Sequence, residues 1–223
     1  MDFTDFTTKL ALGQLKNTAA VDDQDLGEIN PGHENQLLEL TNQGLTDIST
    51  RMKLFENTVV LTFVADQNIY TLNEALDASL IDYVRLLSVH GVHKDLDNIP
   101  ENEKVFIPKT NSQITMPSPF SVRFTDAFME DYAPAVDLKF QARHPVLLDF
   151  TGTMQLPHHL YEALALYVAG LYLSQMGGEQ NTAKGDSYYG LYLKMMGDDV
   201  IENKSQTSEV LDEDTRFYDR GFV

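Results

Sequence analysis

The longest apolar segment of the chain, residues 156–178, has the hydrophobic pattern of a buried helix. Its apolar residues recur every three or four positions and also fill much of the remaining circumference, which predicts burial on more than one side. Pro157 suits the first helical turn, and Gly177-Gly178 suits a left-handed helix end. Two histidines, several tyrosines and Glu162 argue against a membrane span.

A second helical pattern of about 20 residues follows a short turn at 179–181. Two helices joined by so short a link pack antiparallel. Small residues on both segments, such as Ala169 and Gly185, would let the helices approach closely. We predict that this helix hairpin is the organising core of the molecule.

Two more amphipathic helices are predicted in the N-terminal part. The first, over 2–16, rests on a stripe of large apolar residues: Phe3, Phe6, Leu10 and Leu15. A polar loop follows, and Asn30-Pro31 is typical of a helix start. From there an apolar stripe predicts a helix of about 24 residues that ends near residue 57. Gly44 either weakens this helix or marks a close contact.

From residue 58 the pattern changes to the alternation of β-strands. TVVLTFV and IYTL flank a turn at 65–68 and are predicted to pair as a hairpin. After a helical turn at 76–80, residues 83–93 predict another strand, and VFIP, QITM, FSVRF and VDLKFQA predict four short ones. Strands at this spacing favour a small antiparallel sandwich or barrel.

Together these elements predict an α+β fold. It comprises an antiparallel α-helical bundle, an inserted small antiparallel β domain and an extended C-terminal arm. The predicted division is 1–56 for the N-terminal helices, 57–153 for the β domain, 154–203 for the helix hairpin and 204–223 for the arm. The arm is polar and acidic, yet its end carries residue types that anchor protein interfaces, namely Arg216, Phe217, Tyr218, Arg220 and Phe222.

Composition and net charge limit the classes of function that the chain can have. The 223 residues have a mean hydropathy of −0.26 and no secretory signal, which indicates a soluble protein made in the cytosol. A net charge of −18 repels nucleic-acid phosphates and anionic membranes. Solubility is the commoner reason for such a charge, and an acidic lining is the alternative. Because the chain has no cysteine, stability must come from packing or from assembly.

No metal or catalytic motif stands out. His158, His159 and Glu162 cluster at a helix start, but HExxH is absent and Ala163 occupies the last histidine position of HxxEH. Such histidines are ordinary near-surface residues. Phosphate-binding loops and the GxSxG nucleophile motif are absent too, and nothing selects a carboxylate pair for glycoside hydrolysis. We therefore predict no catalytic residue, no metal, no cofactor and no enzyme activity.

A second histidine pair, His90 and His93, lies in the predicted strand 83–93. Side chains three positions apart on a strand point to opposite faces, so we predict that the pair does not chelate a metal.

The order of elements resembles the head-to-tail adaptor (connector) proteins of tailed bacteriophages, in particular those of short-tailed phages. The similarity is carried by LPHHLYEALALYVAG at 156–170, by the turn at 177–180, by SYYGLY at 187–192 and by the β segment 63–72. It extends loosely over 31–203 and is best over 139–196.

The resemblance implies a structural virion protein at the head–tail junction. Such a subunit would join a homo-oligomeric ring, a dodecamer, below the portal protein, extend the DNA ejection channel and serve as a platform for tail tube, nozzle or fibre proteins. DNA would pass without sequence-specific binding, and no membrane would be involved. The arm would reach the portal. The rival hypothesis is a monomeric ligand- or carbohydrate-binding module that uses the β insertion, and the native mass in solution distinguishes the two.

Three expectations accompany this interpretation. The acidic residues should line the channel, and the arm should fold only on binding the portal. The helix hairpin should form the ring contact, since one partner helix cannot cover all its apolar faces. The predicted ring-interface residues are Tyr161, Ala165, Ala169, Tyr172, Tyr188 and Tyr192. A bulky charged residue at Ala169 is expected to prevent ring formation and to leave a folded monomer.

Overall fold

The structure, a computed structural model, describes residues 1–21, 27–94, 104–107 and 112–202. It confirms an α+β fold with five helices and two antiparallel sheets among these residues. The chain divides into a helical unit, Met1–Leu54 with His144–Val223, and a β unit, Phe55–Arg143. The segment 144–153, which the sequence division assigned to the β domain, therefore belongs to the helical unit.

The elements follow one another along the chain in an order close to the predicted one. The helices are α1 (Phe3–Leu12), α2 (Glu34–Arg51), α3 (Asp126–Asp131), α4 (Leu160–Met176) and α5 (Glu179–Glu202). The strands are β1 (Phe55–Thr62), β2 (Ile69–Thr71), β3 (Tyr83–His93), β4 (Val105–Ile107), β5 (Ile114–Ser118), β6 (Ser121–Phe124) and β7 (Tyr132–Ala142). A 3₁₀ turn spans Ala78–Asp82.

Helix α4 is the centre of the helical unit, and nearly every residue from Leu160 to Leu173 is buried. Its two-residue link to α5 uses Gly177 and Gly178, both with positive φ (71° and 85°), a region that glycine enters without steric cost. Gly170 lies against Gly185 near the link, and Tyr167 contacts Tyr192 further from it, so contacts move away from the link along both helices together. The two helices are therefore antiparallel, as predicted.

Helix α1 packs within its own chain. Its predicted stripe is buried, whereas Leu12, which lies off the stripe, is exposed. The N–H of Phe3 donates to the carbonyl oxygen of Gly152 (3.0 Å), and that of Met154 donates to the carbonyl oxygen of Met1 (3.0 Å). These bonds fix the start of the chain beside the segment that leads into α4.

Helix α2 begins later and ends earlier than the sequence pattern predicted. Asn30-Pro31 forms a turn in which the N–H of His33 donates to the carbonyl oxygen of Asn30 (2.8 Å), and the helix starts at Glu34. It stops at Arg51, because Phe55 already pairs with β7 as the first residue of β1. Gly44 does mark a close contact, since a Cβ there would lie 2.6 Å from Leu164 Cδ1.

The β unit contains two antiparallel sheets, of order β1-β7-β3-β4 and β2-β6-β5, whose buried residues share one hydrophobic core. The predicted hairpin of β1 with β2 is wrong. The turn exists, with the N–H of Gln67 donating to the carbonyl oxygen of Val64 (3.2 Å), but β1 pairs with β7 and β2 pairs with β6. Alternation within a strand predicts its faces and does not encode its partner.

The remaining β elements match the sequence pattern more closely. β3 has the predicted bounds, and the other four predicted short strands are present. The 3₁₀ turn starts two residues after the predicted start at 76, where Asp77 accepts a hydrogen bond from the N–H of Ser79 (2.8 Å). Helix α3 was not predicted. Thr125 caps it by accepting from the N–H of Phe128 (3.2 Å), whose ring enters the core.

Candidate interaction surfaces

Four of the six predicted ring-interface residues are buried inside the helical unit. They are Ala165, Ala169, Tyr172 and Tyr192. Tyr161 and Tyr188 are half-buried. The apolar circumference of α4 is covered by α1, α2 and α5 of the same chain, so it does not by itself require a second subunit. With Ala169 fully buried, a bulky charge there would disrupt the core, and the expected folded monomer is not an outcome that this packing allows.

Two of these tyrosines make hydrogen bonds within the chain. Tyr172 Oη lies 3.0 Å from His33 Nδ1, and the two rings meet edge to face. Tyr161 Oη donates to the carbonyl oxygen of Met154 (2.7 Å) and lies 3.3 Å from the amino group of Met1. Their hydroxyls therefore join the N-terminal segments to α4.

A third tyrosine, Tyr192, belongs to a polar cluster between α5 and α2. Its hydroxyl donates to Asp47 Oδ2, which also accepts from Arg51 Nε (2.8 Å). The rings of Tyr167 and Tyr189 lie 5.1 and 5.8 Å from that of Tyr192. Burial, followed by the hydrogen bond to Asp47, raises the pKa of Tyr192, so its phenol stays neutral at physiological pH. The cluster fastens α5 to α2 and offers no nucleophile.

One side of α5 carries apolar side chains that the helical unit covers only in part. Tyr188, Leu191 and Met195 follow each other at spacings of three and four and so lie on one side of the helix. Leu191 is 47% exposed, while Tyr188 and Met195 are half-buried. Lys184 Nζ lies 5.5 Å from the centre of the Tyr188 ring. We call these three residues the α5 outer stripe.

A groove of about 700 Å³ runs along the outer side of α2. We call it the α2 groove, and its lining residues are Asn35, Leu38, Glu39, Asn42, Gln43, Thr46, Asp47, Thr50, Val146 and Tyr167. Glu39 and Asp47 are its charged residues. Hydrophobic surface comes from Leu38, Val146 and Tyr167.

The wall of the α2 groove that carries Val146 is an extended segment tied to α2. Asn42 donates to the carbonyl oxygen of Leu147 (2.9 Å) and accepts from its N–H (2.8 Å). Leu147 points inward and is buried, whereas Val146 and Leu148 are 62% and 88% exposed. Sequence reasoning missed this surface, although the three consecutive apolar residues at 146–148 are a signal that could have indicated it, since an extended segment cannot turn all three to one side.

The histidines considered as metal ligands lie in ordinary surroundings. His158, His159 and Glu162 border a second groove of about 370 Å³, where Gln14 Nε2 lies 3.4 Å from Glu162 Oε1. Within the described ranges no group of three or more acidic, histidine or cysteine side chains is placed to hold a metal ion.

The two histidines of the other pair, His90 and His93, contact different residues. His90 Nε2 lies 2.9 Å from Ser88 Oγ, with its ring against Phe106. The His93 ring meets that of Tyr132. The absence of a metal site at this pair stays a prediction.

The five arm residues predicted to bind the portal, Arg216, Phe217, Tyr218, Arg220 and Phe222, lie outside the described residues. Among the helices that are described, none combines the length and the apolarity that a membrane crossing requires. No protein-family model matches the chain, and no curated protein matches it.

Proposed function

We propose that the chain is the subunit of a head-to-tail adaptor ring in a tailed bacteriophage, located in the virion below the portal protein. In this proposal an antiparallel helical bundle is interrupted by the β domain. The arrangement of contacts supports it, because the helical unit takes one segment from before the β unit and one from after it. The adaptor resemblance rests on the same order of elements.

The observation that carries the proposal is the α5 outer stripe. A cyclic ring needs a surface on each subunit that binds a different surface of the next subunit. Leu191 exposes nearly half of its side chain between two half-buried apolar neighbours, and such a patch suits an interface core. We therefore assign the ring contact to Tyr188, Leu191 and Met195, in place of the buried residues of α4.

The experiment is a native-mass measurement of the full chain, alone and with the portal protein of the same phage, followed by electron microscopy. A closed ring with a central channel, at a multiple of 25.1 kDa, is the expected result. Leu191→Asp should abolish the ring and leave the subunit folded, because an unpaired carboxylate would be buried in the contact.

Leu193→Asp is the matched control. Leu193 is on the same helix with similar exposure, 42%, but two positions further along it points about 200° away from Leu191. It should leave the ring intact. A monomer at every concentration, with and without the portal, would contradict the ring and favour the ligand-binding alternative.

The remaining parts of the proposal concern partners. The acidic surface is proposed to keep DNA phosphates from adhering to the channel, with screening over about 8 Å at physiological salt. The arm residues are proposed to anchor the ring to the portal, and the β unit to contribute to the platform for tail proteins. These roles predict a salt-dependent repulsion of DNA and no sequence preference.

A further inference from the structure

The α2 groove combines carboxylates with exposed apolar surface and has no lysine or arginine in its lining. Glu39 and Asp47 lie eight positions apart on one helix, which separates them by about 12 Å along its axis. Asp47 keeps part of its side chain exposed, 29%, although it binds Arg51 and Tyr192. The groove therefore suits a segment with two cations about 12 Å apart and apolar groups between them.

The end of this chain has that pattern. Arg216 and Arg220 are four positions apart, which in an extended segment is about 13 Å. Phe217 and Tyr218 stand between them, and Phe222 follows. If fully extended, seven residues such as 216–222 would span about 20 Å, close to the length of about 22 Å that α2 spans from Asn35 to Thr50 along the groove.

The end of the chain can also reach the groove. His33 meets Tyr172, and Gly44 meets Leu164 and Tyr167, so α2 runs antiparallel to α4 and parallel to α5. Tyr192 binds Asp47 at one end of the groove, and Glu202 lies about 15 Å further along α5. The thirteen residues 203–215 can extend over about 43 Å, which is more than the return to Asp47 requires.

We propose that residues 216–222 occupy the α2 groove of their own chain. Approaching from the Asp47 end, the segment runs antiparallel to α2. Arg216 then pairs with Asp47 and Arg220 with Glu39, while the aromatic side chains cover Leu38 and Val146. Charge-assisted bonds set the register, and apolar burial adds affinity. This docking does not depend on the adaptor proposal. If both hold, the groove stores the anchor residues until the portal takes them.

The test is limited digestion of the full chain with an arginine-specific protease, with cleavage after Arg216 and Arg220 followed by mass spectrometry. In the groove variant Glu39→Lys/Val146→Asp, cleavage after Arg216 should be at least tenfold faster than in the wild type, because the docked segment is shielded. The matched control Asp186→Lys/Leu193→Asp makes the same charge changes on exposed positions of α5 and should cleave at the wild-type rate. Circular dichroism checks that each variant is folded.

Two further results decide the register and the source of the segment. Glu39→Lys alone should speed cleavage after Arg216, and the double variant Glu39→Lys/Arg220→Glu, which reverses both charges of the proposed pair, should restore protection at Arg216. A protection factor that is independent of protein concentration supports docking within one chain. Equal cleavage rates in wild type and groove variant would overturn the docking, and protection that grows with concentration would overturn the assignment to the same chain.

Discussion

The helical unit and the β unit build their hydrophobic cores in different ways. The helical unit surrounds one helix, α4, which is apolar on all sides, with helices taken from both ends of the chain. The β unit is one continuous segment whose two sheets enclose a row of aromatic rings. Phe124 and Phe128 have ring centres 5.0 Å apart, and Phe128 and Tyr132 4.4 Å apart. We therefore expect the stability of the helical unit to depend on small residues that let its helices approach closely. The stability of the β unit should depend on large residues that fill its core.

The largest effect is expected from Ala169→Asp in α4. Ala169 is fully buried, so the new carboxylate would lie in the core without a partner and should cost about 4 kcal/mol or more. Because the two units have separate cores, hydrogen exchange should show lost protection in α4 while β7 stays protected. Ala183→Asp, on the exposed side of α5, is the control and should change stability by less than about 0.5 kcal/mol. Equal loss of protection in both units would contradict separate cores.

The second-largest effect is expected from a substitution in the core of the β unit, which should leave the helical unit intact. Phe128→Ala removes the ring that stacks between Phe124 and Tyr132, and should cost about 3–5 kcal/mol through lost burial and a cavity. Protection should now fall in β6 and β7 and remain in α4. Phe120→Ala is the control, because Phe120 is mostly exposed and its removal should cost about 1 kcal/mol or less. Similar losses from both substitutions, measured by urea unfolding, would refute the importance of the stack.

The third effect tests the small residues of the helix hairpin. A Cβ on Gly185 would lie 2.7 Å from the carbonyl oxygen of Gly170, so Gly185→Ala should force the helices apart and cost about 1–3 kcal/mol. A Cβ on Gly197 of the same helix meets nothing within 4 Å. Gly197→Ala should therefore stabilise the helix by about 0.5–1 kcal/mol. Thermal unfolding of the two variants should shift in opposite directions, and a shift in the same direction would contradict the close contact.

The two units also differ in how well the sequence predicted them. The helix hairpin and the stripe of α1 follow from spacing and residue size over a few turns, and the structure has both. At Gly44 the sequence left a weakened helix or a close contact open, and the structure has the close contact. The strand β3 was predicted with its bounds for the same local reason. The pairing of the strands was not predicted. β1 pairs with β7, about 80 positions away, and no local pattern encodes that pairing.

For the candidate surfaces, too, local patterns were predictable from the sequence and long-range contacts were not. That Ala169, Tyr172 and Tyr192 are buried within their own chain could not be predicted, because a helix pattern does not reveal whether its apolar sides meet the same chain or another one. The α2 groove depends on the bond pair between Asn42 and Leu147, which are 105 positions apart. Long-range polar contacts of this kind leave only a weak trace in the sequence.

The smallest effect concerns the polar cluster that fastens α5 to α2. Tyr192→Phe keeps the buried ring and removes the hydroxyl that donates to Asp47. A hydrogen bond to a charged group contributes about 1.5–3 kcal/mol, and the partial exposure of Asp47 reduces the expected loss at pH 7 to about 1–2 kcal/mol. Tyr188→Phe makes the same chemical change one turn earlier at a half-buried site, and should cost less than about 0.5 kcal/mol.

The pH dependence of the same variant gives an independent measurement. Burial raises the pKa of Tyr192 in the folded chain above its ordinary value near 10. Below pH 10 this tyrosine is neutral in both states and its contribution is fully present. Above pH 10 the unfolded chain releases the proton and the folded chain retains it, so the wild type loses stability as the pH rises. In Tyr192→Phe this loss is missing, and the fall in unfolding free energy between pH 10 and 11 should be smaller by up to about 1.4 kcal/mol. Equal slopes in wild type and variant would show that the Tyr192 hydroxyl ionises as readily in the folded chain as in the unfolded one.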